Sequence, residues 1–443
     1  MTMYLSELKT IIKDSAVAGA GGAGFPSYAK LDERADTILL NCAECEPLLK
    51  LHRQVLEKYA LEIMKALEIT AKALGAKQIK ICLKGSYTGA LQAVKSYIDA
   101  FENMSVVILP EVYPAGDEVV LIYEATGRRV PPGGIPILVG CVVFNVETML
   151  NIYKAVEKNE PVTHKYITVA GEVENPKTFL APIGTTYGEL IDICKKTIDD
   201  CCIIAGGPMT GRLANESDVV TKTSNAVLVM PKNHYIVTRR KLKASIGMKR
   251  AMSACCQCRM CSDLCPRHQL GYPIEPSEFM RAASSGTVRD TQKMLDTFFC
   301  SQCGLCEMFA CNQLLSPKTL IGEYKNNLRK NGVKMPKREL KEVSEQRKMR
   351  YVSMSRLTAR LDLTKYNKNA DLDETKINVN RVKLMMSQHI GAPAVPVVKA
   401  GDFVKENDII AQAAKDALSI NVHTPVSGKV AEANEKFVVI DVL

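Results

Sequence analysis

Eight cysteines of this chain fall into two runs of one spacing. The first reads Cys255-Cys256-Gln257-Cys258-Arg259-Met260-Cys261 and is followed by Cys265-Pro266; the second reads Cys300-Ser301-Gln302-Cys303-Gly304-Leu305-Cys306 and is followed by Cys311. Three thiolates at C-x2-C-x2-C spacing converge around a tight turn on the corners of an iron–sulfur cube. A fourth thiolate completes the set, so the two runs predict two [4Fe–4S] clusters. In two-cluster modules the fourth Cys of each run serves the other cluster. That groups Cys255, Cys258, Cys261 and Cys311 on one, and Cys300, Cys303, Cys306 and Cys265 on the other, with Cys256 left over. Structural zinc draws its thiolates from separate C-x2-C pairs, and disulfides need an oxidising compartment that no secretory signal here indicates. Both fit the spacing worse. A cube carries one electron at a time, so another part of the chain is expected to collect electrons.

A second candidate site is Gly19-Ala20-Gly21-Gly22-Ala23-Gly24-Phe25-Pro26. It satisfies G-x-G-x-x-G, but the dinucleotide fingerprint requires a strand before it, and here the apolar spacing of Leu5, Leu8, Ile11 and Ile12 predicts a helix. Most such helices pack on their own domain; a targeting or encapsulation peptide is the alternative. Four glycines still let the backbone approach a ligand and aim N–H groups at a phosphate, with Phe25 offering a flat face and Lys30 a countercharge. From the loop alone, a phosphate cradle and a tight structural turn stand even.

The elements that must position these residues come next. Strands are predicted at 37–42, 78–84 and 104–109, with a long helix over 48–74 ending at Gly75 and another over 88–101. That β-α-β-α-β order implies a parallel sheet covered by helices. Ligands on such sheets sit beyond the strands' carboxyl ends, where Asn41, Glu46 and the segment after Leu109 would lie. This segment carries Tyr113-Pro-Ala-Gly116-Asp117-Glu118 and leads on to Asn145-Val-Glu147-Thr148. Adjacent acids at a helix start are most simply N-terminal charges; hydrogen bonds to ribose or nicotinamide are the functional reading. Cys42 and Cys45 have no second pair nearby and read as ordinary thiols.

The three segments GxGGAGFP, NxxExEP and YxxGDE…NVET, in this order, resemble the flavin-binding subunit of respiratory NADH dehydrogenase and the RnfC component of the Rnf electron-transport complex. The resemblance spans about residues 10–155. It implies FMN at Gly19, Gly21, Gly22, Gly24, Lys30, Asn41 and Asn145, and places Phe25, Glu46, Asp117 and Glu118 facing flavin or NADH. Ala20 stands where the dehydrogenase loop carries Arg, and Ala43 where it carries Asp. Residues 163–232 look like the small β-grasp (SLBB) domain that follows in the same relatives; within them Gly206-Gly207-Pro208-Met209-Thr210-Gly211 reads as a turn. The long spacer between the cysteine runs, with helices at 276–284 and 288–299, implies a helical ferredoxin module. Residues 381–443 resemble the lipoyl-like barrel-sandwich domain that stands first in RnfC. Here it stands last, and it lacks the Met-Lys-Met of a carrier hairpin. That order, with Leu264-Cys-Pro-Arg-His-Gln-Leu-Gly and Gln388-His-Ile-Gly-Ala-Pro-Ala-Val-Pro, is similar over the whole chain to the cobalamin reductases of propanediol-utilisation microcompartments and to the electron-transfer subunit accompanying proline reductase.

The expected organisation is therefore multidomain α/β. It comprises a Rossmann-like FMN/NADH domain (1–160), an SLBB β-grasp domain (161–235), a helical module with two [4Fe–4S] clusters (245–325), a basic linker (326–375) and a barrel-sandwich hybrid domain (376–443). The net charge of +10 over 443 residues is concentrated between Lys318 and Lys368, which favours a solvated linker over a docking surface for an acidic partner. No motif supports nucleic-acid binding, no apolar run is long enough to cross a bilayer, and 16 cysteines point to a reducing compartment. The resemblance implies an NADH-dependent oxidoreductase passing electrons from NADH through FMN and two clusters to an acceptor. Phe25, Glu46 and Glu118 would orient nicotinamide over flavin by proximity. Cob(II)alamin or a corrinoid-dependent partner is the leading acceptor; a redox protein such as proline reductase or ferredoxin is the alternative. An iron–sulfur scaffold with a degenerate flavin site is a third reading, supported only by Ala20 and Ala43. The expected setting is the cytoplasm, free or within a bacterial microcompartment among its shell proteins or enzymes.

Overall fold

The computed structural model describes residues 3–443. The first unit runs α1 (Leu5–Asp14), β1 (Thr37–Cys42), α2 (Leu51–Lys58), α3 (Ala60–Leu74), β2 (Gln78–Lys84), α4 (Thr88–Lys95), β3 (Met104–Leu109), β4 (Val112–Tyr113), α5 (Glu118–Thr126), β5 (Cys141–Asn145) and α6 (Val146–Lys158). Four strands form a sheet in the order β3-β2-β1-β5, every pair parallel. β1 is apolar and buried along nearly its whole length, as a central strand covered on both faces must be. Leu8 and Ile12 of α1 are fully buried on the side facing α3 and α6. That apolar face is therefore spent on its own domain and does not remain for a shell or a carrier.

Two helices are shorter than their periodicity predicts. The 48–74 stretch divides at Tyr59, whose backbone (φ −121°, ψ 32°) leaves the helical region while its hydroxyl donates to Glu374 at 2.7 Å. The 88–101 stretch ends at Lys95 and finishes as a short 3-10 turn. Gly75 closes α3 in the left-handed conformation at φ +70°, which only glycine adopts without cost.

The second unit contains β6 (His164–Gly171), β7 (Lys177–Pro182), α7 (Tyr187–Cys194), β8 (Cys201–Ala205), β9 (Arg212–Ala214) and β10 (Ala226–Pro231). Its single helix α7 starts with a capping box, Thr186 and Glu189 satisfying each other's backbone N–H groups. α8 (Tyr235–Lys241) leads into the cysteine module: α9 (Ala244–Ala254), α10 (Met260–Asp263), α11 (Pro266–Gln269), α12 (Pro276–Ser285), α13 (Thr291–Leu295) and α14 (Pro317–Lys330). Phe279, Met280, Leu320 and Ile321 form its small core, with Cys255, Cys261 and Cys311 at the margin.

The basic stretch after α14 is a strap rather than a solvated linker. β11 (Val352–Ser353) pairs with β4, α15 (Met354–Arg360) follows, and β12 (Asp371–Asp373) joins the edge of the second unit's sheet parallel to β7. Val352, Leu357, Leu361 and Leu363 are buried, each worth about 1.5–3 kcal/mol when fully removed from water. Part of its charge is also committed: Arg338 bonds Asp296 at 2.8 Å, and Arg347 pairs with Glu124.

The last unit has two small sheets, β13 (Arg381–Met385), β19 (Phe437–Val442), β18 (Gly428–Ala433) and β15 (Phe403–Val404) in one, and β14 (Val395–Pro396), β16 (Ile409–Gln412) and β17 (Val422–His423) in the other. Its core is continuous with that of the first unit. No helix among the described residues is long and apolar enough to cross a membrane.

Lys222 joins three units. Its Nζ donates to Ala16 O at 2.7 Å and Asn421 O at 3.4 Å, and its backbone N–H to Gln388 Oε1 at 3.1 Å. Burial alone holds its pKa down to about 7. Between about 7 and the ordinary value of 10.5 the unfolded chain binds a proton that the folded chain has released, so stability rises with pH across this window. Lys222→Met should flatten that rise, read as the urea midpoint of variant minus parent from pH 7 to pH 10.

Candidate functional site

The first unit reverses its winding between β1 and β5: the chain builds outward from β1 to β2 and β3, then returns to add β5 on the other side of β1. Open α/β sheets bind ligands in the crevice at such a switch point. Asn41 and Asn145, register partners at the carboxyl ends of β1 and β5, both face a cavity of about 460 Å³. This is ample for one cofactor-sized molecule. Gly19, Gly21, Gly22, Gly24 and Phe25 line one side of it, and Lys30, Gly116 and Glu118 another.

The glycine loop is tethered at its base and open at its tip. Gly19 N–H donates to Phe25 O at 2.9 Å, and Ala20 N–H to Thr148 Oγ1 at 3.0 Å. The N–H groups of Gly21 and Gly22 have no acceptor among the described residues. A Cβ on Gly21 would collide with Nδ2 of Asn145, whereas one on Gly22 would meet nothing within 4 Å. Gly24, at φ +74°, lies against Thr223 and His389, so the second and last units back the loop. A loop that close to a wall, with N–H groups unspent, is suited to a phosphate-bearing cofactor.

Asn145 caps α6, its Oδ1 accepting from Glu147 N–H at 3.1 Å. This turns Nδ2 toward His52 Nδ1 at 3.4 Å. The imidazole must accept there, and burial keeps it neutral by holding its pKa down to about 3. Sequence reasoning missed His52; nothing in its helical context marks it. Asn41 donates from Nδ2 to Gly116 O at 3.0 Å. Lys30 Nζ donates to Val143 O at 3.1 Å and lies 3.7 Å from Glu118 Oε1.

Two of the sequence-derived positions lie outside the cavity. Glu46 accepts from the N–H groups of Met209 at 2.7 Å and Thr210 at 2.9 Å, in the second unit. A Cβ on Gly207 would collide with its carboxyl group, so the Gly206–Gly211 turn is a fitted cradle for this carboxylate. Asp117 caps α5 through Val119 and Val120 N–H groups and pairs with Arg267 of the cysteine module at 2.9 Å.

Both cysteine runs fold alike. Gln257 and Arg259 in the first, and Gln302 and Gly304 in the second, all take positive φ at equivalent places, which curls each run around its thiols. Cys255, Cys258, Cys261 and Cys311 share one small cavity with Cys256 beside them. Burial first, then the neighbouring thiols Cys311, Cys258 and Cys255, push Cys261 up to about 12. Cys265 is likewise raised by burial, then by Cys303 and Cys300. Cys306 senses Cys300, Cys303, Cys261 and Cys265, so the two quartets adjoin. Leu315 N–H donates to Cys311 Sγ at 3.3 Å and Gln302 N–H to Cys300 Sγ at 3.4 Å, as thiolate ligands require. No three such side chains among the described residues close on a single metal ion; thiols at the corners of a four-iron cube stand farther apart than that. The donor set fits two cubes.

Four family matches run along the chain: the Nuo51 FMN-binding domain over residues 12–154, the SLBB domain over 166–194, a 4Fe–4S dicluster domain over 254–316 and the RnfC barrel sandwich hybrid domain over 362–440. The chain is 38% identical over 442 residues to the cobalamin reductase PduS of Citrobacter freundii, covering 99% of this chain and 97% of that one. It is 34% identical over 275 residues to a component of the proton-translocating ferredoxin:NAD(+) oxidoreductase complex of Clostridium ljungdahlii, covering 60% of this chain and 57% of the relative. A crystal structure of NAD+-reducing [NiFe]-hydrogenase in the H2-reduced state shares the fold, with TM-score 0.51 and 18% identity over 73% of this chain and 61% of that one. Gly21→Ala should weaken FMN retention by roughly tenfold or more, because the added methyl displaces the Asn145 amide, whereas Gly22→Ala should leave folding unaffected; flavin fluorescence after dialysis, alongside thermal melts, distinguishes the two.

Proposed function

Because the chain belongs to the family of the PduS cobalamin reductases, we propose that it is an NADH-dependent oxidoreductase whose electrons leave singly for cobalamin. Bound FMN exchanges electrons in pairs with nicotinamide and singly with iron–sulfur clusters, which carry one at a time. The protein's own part is to hold, orient and insulate. The N–H groups of Gly21 and Gly22 and the Lys30 ammonium are the proposed phosphate ligands. Asn41 and Asn145 form the cavity floor, with His52 fixing the Asn145 amide. Phe25 and Glu118, at the cavity's edge, are the proposed contacts for the nicotinamide. Glu46 takes a different role from the one its motif suggests, that of anchoring the second unit.

The observation that carries this reading is a shared wall. Gly116 and Glu118 line the cavity, while Asp117 between them pairs with Arg267, two residues from Cys265. Tyr113 in the same segment donates its hydroxyl to Cys303 O at 2.6 Å. The quartet Cys265, Cys300, Cys303 and Cys306 therefore lies directly behind the cavity and is the proposed first cluster site. Cys255, Cys258, Cys261 and Cys311 form the second, with Cys258 exposed. We infer a cytoplasmic setting, with a bacterial microcompartment as the finer placement, on the family resemblance alone.

Stopped-flow reduction of anaerobically purified variants tests the order. Cys258→Ala should retain NADH-driven flavin bleaching and reduction of one cluster yet lose transfer to cob(II)alamin. Cys303→Ala should retain the bleaching and lose reduction of both clusters. Undiminished delivery to cob(II)alamin by either variant would sink the scheme.

A further inference from the structure

We propose that α9 and the first cysteine run form a docking face for an acidic redox protein, which takes electrons one at a time from the outer quartet. The inference rests on the electron-transfer reading above and names the class of partner. α9 turns Gly247 and Ala251 inward; a Cβ on Gly247 would stand 3.5 Å from Ser316 and 3.6 Å from Leu320 of α14. Met248 and Met252, one helical turn apart, stand about 100° round from these, and the helix ends at Ala254, just before the thiol loop. Met252 is 58% exposed, Ile246 47% and Met248 37%, and Cys256 and Cys258 are exposed with them. Single exposed apolar residues need no explanation, but three on one short helix leading into a metal-binding loop do. Methionine suits such a contact because its flexible thioether adapts to a partner.

Charge says what covers this helix. From position 241 to 262 the chain carries Lys241, Lys243, Lys249, Arg250 and Arg259 and no Asp or Glu. Among the described residues only Arg259 of this set is in an ion pair, with Glu275 at 3.2 Å. Glu275 is shared with Lys293, and the nearby Glu278 is taken by Arg281. Exposed apolar side chains interspersed with uncompensated basic ones complement an acidic partner, and such complementarity mainly speeds encounter and fixes orientation. This protein contact stands beside the delivery to cobalamin proposed above: the cavity at this quartet measures about 30 Å³, far below the hundreds of Å³ of an enclosed ligand cleft, so the exposed face around it is open to a protein surface. With a cluster held by Cys255, Cys258, Cys261 and Cys311, these ligands would deliver one electron at a time to the partner's one-electron centre, with no bond formed or broken.

The test uses the holoprotein, with oxidised plant-type ferredoxin as the acidic probe and cytochrome c as the basic control. Calorimetry at low and at physiological salt reads binding, and stopped-flow reads NADH-driven flavin bleaching and probe reduction. Ferredoxin should bind the parent, losing about tenfold or more in affinity as salt rises, and a comparable factor in Lys249→Glu/Arg250→Glu. Met252→Ser should weaken it further at high salt, where apolar contact dominates. Both variants should keep parental flavin bleaching and cluster absorbance, and cytochrome c should show none of these losses. Ferredoxin binding that ignores both salt and charge reversal overturns the docking face, as does ferredoxin that neither binds nor is reduced by the parent while NADH-driven bleaching proceeds. Absence of NADH-driven bleaching in the parent would instead overturn the electron-transfer reading, leaving the binding measurements to judge the face separately.

Discussion

One carboxylate ties the two halves of the redox path together. Asp117 spends an oxygen on the first N–H groups of α5 and also receives the guanidinium of Arg267. Both side chains of the pair are largely buried, and a buried charge is tolerable only when its partner and its hydrogen bonds are all in place. The cavity wall and the cysteine module are thereby held in one geometry. Tyr272, whose hydroxyl donates to Val130 O at 2.5 Å, and Tyr113 reinforce it from either side. The separation between cavity and thiols is thus set by packed side chains, not by the length of chain between residues 126 and 265.

Local chemistry was legible in the sequence, and long-range chemistry was not. The cysteine spacing needs only a tight turn, and the turn is present in both runs with positive φ at matching residues. The glycine loop, the parallel strands and the Asn41–Asn145 pair likewise follow from spacing and strand order. Glu46 and Asp117 sit in the motifs that face the ligand in the resembled family, yet each carboxylate finds a partner some 150 residues or more away. Nothing in the spacing of NxxExEP reveals the turn at Gly206–Gly211. His52 is invisible for a related reason, since its role depends on which way the Asn145 amide is turned.

The strap shows how composition misleads. Its lysines and arginines dominate any average taken over 326–375, while Val352, Leu357, Leu361 and Leu363 are too few to register as a periodic face. They are nevertheless enough to hold the segment down, because each is buried in one core with residues of the first two units and the cysteine module. Tyr59 is a parallel case, a helix break without glycine or proline whose side chain is engaged by Glu374 from the end of that strap.

The last unit stands at the far end of the covalent chain from the glycine loop, yet it lies against it. Ile420 packs with Ala16 and Ala18, Ile390 N–H donates to Gly24 O at 3.2 Å, and Asn421 reaches Asp14 O at 3.5 Å. The contact between these two units is therefore fixed by packing and hydrogen bonds, and the order in which the units follow along the chain does not dictate which of them touch.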